Sequence, residues 1–144
     1  MDALTDGRSV TRVRYETRRR ELIVTQLKSI TPHLLRVSLT GDFAGFQSLG
    51  FDDHIKLFFP DPETGILAVP EPGMPPGDGP KPLMRDYTPR CFDGKTLDIE
   101  FALHDAGPAT AWAMNAKPGD ILNIGGPRGS MLIPLAFDGY VLIG

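Results

Sequence analysis

Residues 85–103 read RDYTPRCFDGKTLDIEFAL, and the second half of that stretch decides the fold. Leu97, Ile99, Phe101 and Leu103 alternate with Asp98, Glu100, Ala102 and His104. A period of two puts apolar side chains on one face of a strand and polar ones on the other. Asp93-Gly94 separates residues 85–92 from 96–103 and supplies the turn of a hairpin. Working outward, the same alternation recurs. Residues 21–29 (ELIVTQLKS) are β-branched and strand-like, and Thr31-Pro32 marks a turn. Leu35, Val37 and Leu39 then alternate with Arg36, Ser38 and Thr40. In residues 53–59, Ile55, Leu57 and Phe59 share one face while His54, Lys56 and Phe58 take the other. Residues 120–124 and 131–135 are further short strands, joined by the turn-rich GGPRGS of residues 125–130.

One helix interrupts the strands. Pro108 suits the first helical position, where its missing N–H has no partner to lose. ATAWAMNA (residues 109–116) continues the helix, and Pro118-Gly119 stops it. Two turns of helix do not stand alone in water, so this one packs on a sheet. Between Pro60 and Met84, twelve of twenty-five residues are Gly or Pro, which leaves few backbone donors for a ladder. That segment reads as a long surface excursion. Many short strands, abundant turns and one short helix predict a mainly β fold. The leading form is an antiparallel six-stranded Greek-key barrel; an open sandwich is the alternative.

Composition agrees. The chain has 144 residues, the size of one domain, with 41% hydrophobic and 23% charged residues, which excludes a wholly disordered chain. No apolar run approaches the roughly 20 residues that cross a bilayer as a helix. The single cysteine, Cys91, permits no internal disulfide and fits a reducing compartment, so the cytoplasm is expected. The net charge of −3 hides an uneven distribution. Residues 1–20 carry six arginines, whereas residues from Glu21 onward hold nine basic and fifteen acidic groups. With Tyr15 the one aromatic among those arginines, a flexible, solvated arm over residues 1–20 is favoured over a nucleic-acid contact. His33, His54 and His104 lack metal-ligand spacing, so no metal site is expected.

Two segments carry chemistry. In an extended strand Arg85 and Tyr87 project from the same face, about 7 Å apart. A guanidinium fork grips phosphate oxygens, a phenol ring offers a stacking plate, and Thr88 adds a hydroxyl. Ordinary cross-strand pairing explains the same three residues equally well. The second segment runs from His104 to Thr110 and delivers a strand end into a helix start, where unpaired N–H groups attract an anion. Gly107, Ala109 and Ala111 let a diphosphate approach the backbone. Capping by Asp105 and Thr110 is the competing account. Taken together, the two segments make a two-sided clamp for a dinucleotide such as FAD.

These residues resemble a known family. Arg85-x-Tyr87-Thr88-x-Arg90 is similar to the flavin-binding signature of siderophore-interacting proteins, ferric-siderophore reductases of the ferredoxin-reductase-like superfamily. His104 followed by Gly107-Pro108-Ala109-Thr110-Ala111-Trp112-Ala113 resembles the second flavin motif of that family. Pro118-Gly119-Asp120 and Gly126-Pro127-Arg128-Gly129-Ser130 continue the likeness. It implies an FAD-binding barrel in which Tyr87 stacks on the isoalloxazine and Thr88 bonds near N5. It also implies that Arg85 and the helix start (Gly107, Ala109, Thr110) hold the diphosphate, and that Arg90 and His104 lie at the polar edge. Trp112 would fix the helix or cover part of the adenosine. Asp105 and Thr110 depart from the family, where Gly and Ser are common.

The implied organisation is a basic arm over residues 1–20, an FAD-binding barrel over 21–138, and at 139–144 the start of a nicotinamide-nucleotide domain. The apolar Tyr140-Val141-Leu142-Ile143-Gly144 resembles that domain's first strand, and a longer chain is expected to continue past it. NAD(P)H is therefore expected only with the further domain, and a ferric siderophore only as substrate of the whole protein. A non-catalytic binding module and a different flavin reductase of the superfamily are the alternatives.

Overall fold

Alternating side chains, each apolar one seeking cover, bend the strands into one curled antiparallel sheet with a small second sheet beside it. The computed structural model describes residues 10–15, 17–48, 53–69, 79, 81–103, 107–132 and 141. In chain order the elements are β1 (Thr11–Arg14), β2 (Arg19–Thr31), β3 (Leu34–Gly41), β4 (Ile55–Phe59), β5 (Leu83–Tyr87), β6 (Pro89–Phe92) and β7 (Thr96–Ala102). The helix α1 (Pro108–Asn115), β8 (Ile121–Gly125) and β9 (Gly129–Leu132) follow. The seven-stranded sheet has the order β5-β4-β8-β2-β3-β7-β6, and β1 pairs with β9.

The alternation in residues 96–102 is realised strictly. Leu97, Ile99 and Phe101 are fully buried, while Asp98 and Glu100 face outward. Leu22, Val24, Val37, Leu39, Ile55, Leu57, Phe59, Leu122 and Ile124 join them in one core. Phe43, Phe46 and Phe92 stack edge to face, with centroids 4.7–5.5 Å apart, and cover one end of it. The long β2 shifts register twice, after Val24 and after Ser29. It pairs with β8 through its first residues and with β3 along most of its length.

Several expectations need correction. Residues 85–92 are not one strand: β5 ends at Tyr87 and pairs with β4, whereas β6 starts at Pro89 and pairs with β7. Proline restricts the residue before it and has no N–H for the ladder, so the chain turns at Thr88. The hairpin with β7 therefore belongs to residues 89–92 alone. Residues 83–84, expected in the loop, extend β5.

Part of the segment expected as a flexible arm is instead ordered, and residues 1–9 lie outside the described residues. Thr11–Arg14 forms β1 against β9, and the Tyr15 hydroxyl bonds Ser130. Arg20 is buried, its guanidinium 5.2 Å from the Phe46 ring and donating 2.8 Å to the Ala44 carbonyl. An aromatic face and a carbonyl replace part of the water that Arg20 loses, while its Nε is buried without a hydrogen-bond partner among the described residues. The strand expected at 131–135 ends at Leu132 among the described residues, and the one expected at 140–144 lies outside them, apart from Val141. Nine strands are present among the described residues, against the six of the expected barrel.

Candidate functional site

The first motif sits on an edge. Among the described residues β5 pairs only with β4, and the register sets Arg85 opposite Leu57 and Tyr87 opposite Ile55. Directly opposed residues share a face. Arg85 and Tyr87 therefore lie together on the side where β4 buries its apolar residues, as the period of two predicts. Because β5 has no further neighbour in the sheet order, that side is only partly covered. Tyr87 is half-buried, with its ring centroid 4.6 Å from that of Phe101. Burial raises the phenol pKa, partly offset by the nearby Arg85 charge, so Tyr87 is a neutral hydroxyl at physiological pH. Arg85 is exposed, and its Nη1 donates 2.7 Å to the Met84 carbonyl, which leaves donors turned to solvent. Thr88 is exposed in the bend. On the opposite face Asp86 pairs with Lys56 at 2.7 Å, and that hydrogen bond holds its carboxyl below the usual range.

The helix of the second motif begins where sequence reading puts it. Gly107 is the N-cap, Pro108 opens α1, and Ala116 closes it. Gly107 has no side chain to offer, no acidic residue occupies the first turn, and Ala111 N–H is already bonded to the Gly107 carbonyl. The N–H groups of Ala109 and Thr110 precede the first intrahelical bond and so make none within the helix. Among the described residues no side chain caps this end; His104 and Asp105 lie outside them. Ala109 and Ala113 are buried against the sheet and bring the helix backbone close to it. Thr110 is half-buried.

Phe101 brings the two motifs together. Its ring touches Tyr87 on one side and Trp112, at 5.6 Å, on another; Trp112 also lies 6.2 Å from Phe59. Four elements, β5, β7, β4 and α1, thus meet through four aromatic rings. Sequence reading gives Phe101 to the core and misses its position between the motifs. Its period-two placement signals burial but not the identity of its neighbours.

Arg90 stands apart from this cluster. It is exposed on β6 and approaches Glu100 at 3.5 Å through Nε. A shallow depression lined by Arg19, Arg20, Glu21, Leu67, Val69 and Asn123 lies on β2 and β8. No residue of either motif lines it, so the chemistry points to the open edge at Tyr87 instead.

An edge aromatic plate with an exposed guanidinium, joined through Phe101 to a helix whose start has no side-chain cap among the described residues, fits a ligand that combines a flat ring and phosphates. The siderophore-interacting FAD-binding domain family matches residues 23–131. The chain belongs to that family. Among relatives, the NADPH-dependent ferric-chelate reductase of Escherichia coli is 46% identical over 127 residues, covering 85% of this chain and 50% of the relative. The ferric vibriobactin reductase ViuB of Vibrio cholerae is 36% identical over 126 residues, covering 81% of this chain and 45% of the relative. A siderophore utilization protein from T. fusca superposes with a TM-score of 0.78 at 43% identity, covering 88% of this chain and 51% of that one. The chain thus spans about half the length of these relatives.

Proposed function

We propose that this chain is the FAD-binding part of an NAD(P)H-dependent reductase that delivers electrons to a ferric siderophore. The observation that carries the reading is the meeting of both family motifs on Phe101, within a chain matched by the family from residue 23 to 131. Tyr87, with one side on Phe101, offers its remaining ring surface to the isoalloxazine, and Thr88 offers a hydroxyl near N5. Arg85 and the free N–H groups of Ala109 and Thr110 hold the diphosphate, and Gly107 leaves room for it. Arg90 and His104 lie at the polar edge. Trp112 fixes α1 against the sheet, so that helix and strand hold their separation.

Bound FAD supplies the redox chemistry between a nicotinamide and iron. The protein binds, orients and partly desolvates it; no side chain here need act as acid or base. Hard oxygen donors hold iron(II) less tightly than iron(III), so reduction releases the metal from its chelator. Two relatives whose names denote ferric-chelate and ferric vibriobactin reductases support this substrate class.

The order of the strands supports a finer reading of the architecture. β5 and β6 end the seven-stranded order at opposite edges, yet only Thr88 separates them in the chain. Counted as one bent strand, they close the sheet as a six-stranded Greek-key barrel of the ferredoxin-reductase-like type. In this reading residues 21–138 form the flavin domain, with β1 stitched to its end, and residues 139–144 begin a nicotinamide-nucleotide domain. No helix among the described residues is long and apolar enough to cross a membrane; a lone cysteine, Cys91, is what favours a reducing compartment such as the cytoplasm.

Titration of the purified chain with FAD, followed by quenching of flavin fluorescence, tests the reading. Saturable uptake at one equivalent is expected. A colourless protein that takes up no added FAD overturns the reading in favour of a non-catalytic binding module.

A further inference from the structure

On the outer face of β7, Glu100 and Arg36, neither of them in a flavin motif, form a charge cluster with Arg90, the last residue of the first motif. Glu100 is held from one side by Arg36, whose Nε and Nη2 donate 3.1 and 2.7 Å to the same carboxylate oxygen, Oε2. The other oxygen, Oε1, faces Arg90 Nε at 3.5 Å. One carboxylate thus serves two guanidiniums, and the trio keeps a net positive charge.

The backbone sets up this contact. Pro89 pairs with Ile99 and Cys91 with Asp98, so β6 advances two residues while β7 advances one. Arg90 is the extra residue of a bulge, a device that re-aims a side chain. Asp98, the nearer carboxylate in the register, is occupied by the Ser38 hydroxyl at 2.7 Å. Arg90 meets Glu100 through its inner nitrogen, and its side chain remains 59% exposed, against 21% for Glu100. A guanidinium anchored at Nε presents both terminal nitrogens outward as a fork, the geometry that matches two oxygens of one phosphate. Arg90 also follows Tyr87 by three residues, which limits their separation to about 10 Å.

We propose that Glu100, backed by Arg36, is a positioning residue that fixes Arg90 so that its terminal nitrogens grip a phosphate of the flavin nucleotide. This rests on the FAD-binding reading above and takes the polar edge that Arg90 meets to be a phosphate of the cofactor, gripped alongside Arg85 and the helix start. An exposed, screened pair is worth little by itself, so the effect sought is small and specific.

The test is a double-mutant cycle of Glu100→Gln and Arg90→Ala on the whole chain, read as the FAD dissociation constant by fluorescence titration. Circular dichroism and thermal melting verify that each variant folds. Glu100→Gln is expected to weaken FAD binding about two- to fivefold when Arg90 is present, and to add nothing in the Arg90→Ala background. Arg36→Gln, which releases the carboxylate from its other side, is expected to shift binding in the same direction. Riboflavin, which has no phosphate, should bind wild type and Glu100→Gln alike. Unchanged FAD affinity in Glu100→Gln overturns the proposal, as does an equal loss in both backgrounds or an equal loss for riboflavin. Wild-type protein that takes up no FAD overturns the flavin reading itself, and the proposal with it.

Discussion

At the scale of single residues, the site depends on side chains whose roles are set by exposure more than by type. Among the described residues Arg85 bonds its neighbour's carbonyl and keeps donors in solvent; Tyr87 is half-covered and neutral. Replacing either by alanine is expected to weaken FAD binding about tenfold, or about 1.4 kcal/mol. Fluorescence titration of the two variants checks this, and unchanged affinity in both removes them from the site. The residue pattern Arg-x-Tyr-Thr was legible in the sequence, because identity and spacing survive folding. Its partner Phe101 was not, since a period-two apolar residue announces burial without naming what it touches. The clamp of Glu100 on Arg90 was equally hidden, because it depends on a bulge that no local residue preference encodes.

At the scale of elements, proline and glycine settle what strand propensity leaves open. Residues 85–92 carry no internal break in apolar pattern strong enough to divide them, yet Pro89 sends the chain from one sheet edge to the other. The helix was read almost to the residue, since Pro108 and Pro118 bracket it and its alanines permit close approach. β1 was missed, because its arginines look like a solvated tail until β9 is available to pair with it. Gly129 makes that pairing possible: a Cβ there would lie 2.3 Å from the Val13 carbonyl oxygen, a backbone atom that cannot rotate aside. Gly129→Ala is therefore expected to displace β1 and to cost about 1–3 kcal/mol, the usual penalty for overpacking. A thermal melt, together with faster amide exchange at residues 11–14, would register the change. An unaltered melting curve would mean that β1 contributes little to stability.

At the scale of the whole molecule, the sheet curls so that strands distant in sequence surround one core, with β5 at a bare edge among the described residues. Phe101 sits where that core meets the bare edge, in contact with both Tyr87 and Trp112. Phe101→Leu is expected to weaken FAD binding more than Leu122→Ala does at equal loss of melting temperature, because Leu122 is fully buried and has no part in the aromatic cluster. Matched losses of affinity would reduce Phe101 to an ordinary core residue. The alternating strands, the single short helix, the two motifs and the family were all determined by the sequence alone, because each is written in local periodicity, turn chemistry or fixed spacing. Only the tertiary structure decided which strands are neighbours, that β5 and β6 part at Thr88, and that one buried phenylalanine joins the motifs. Such choices depend on which apolar faces cover one another most fully, and that is a property of the whole packed chain rather than of any segment within it.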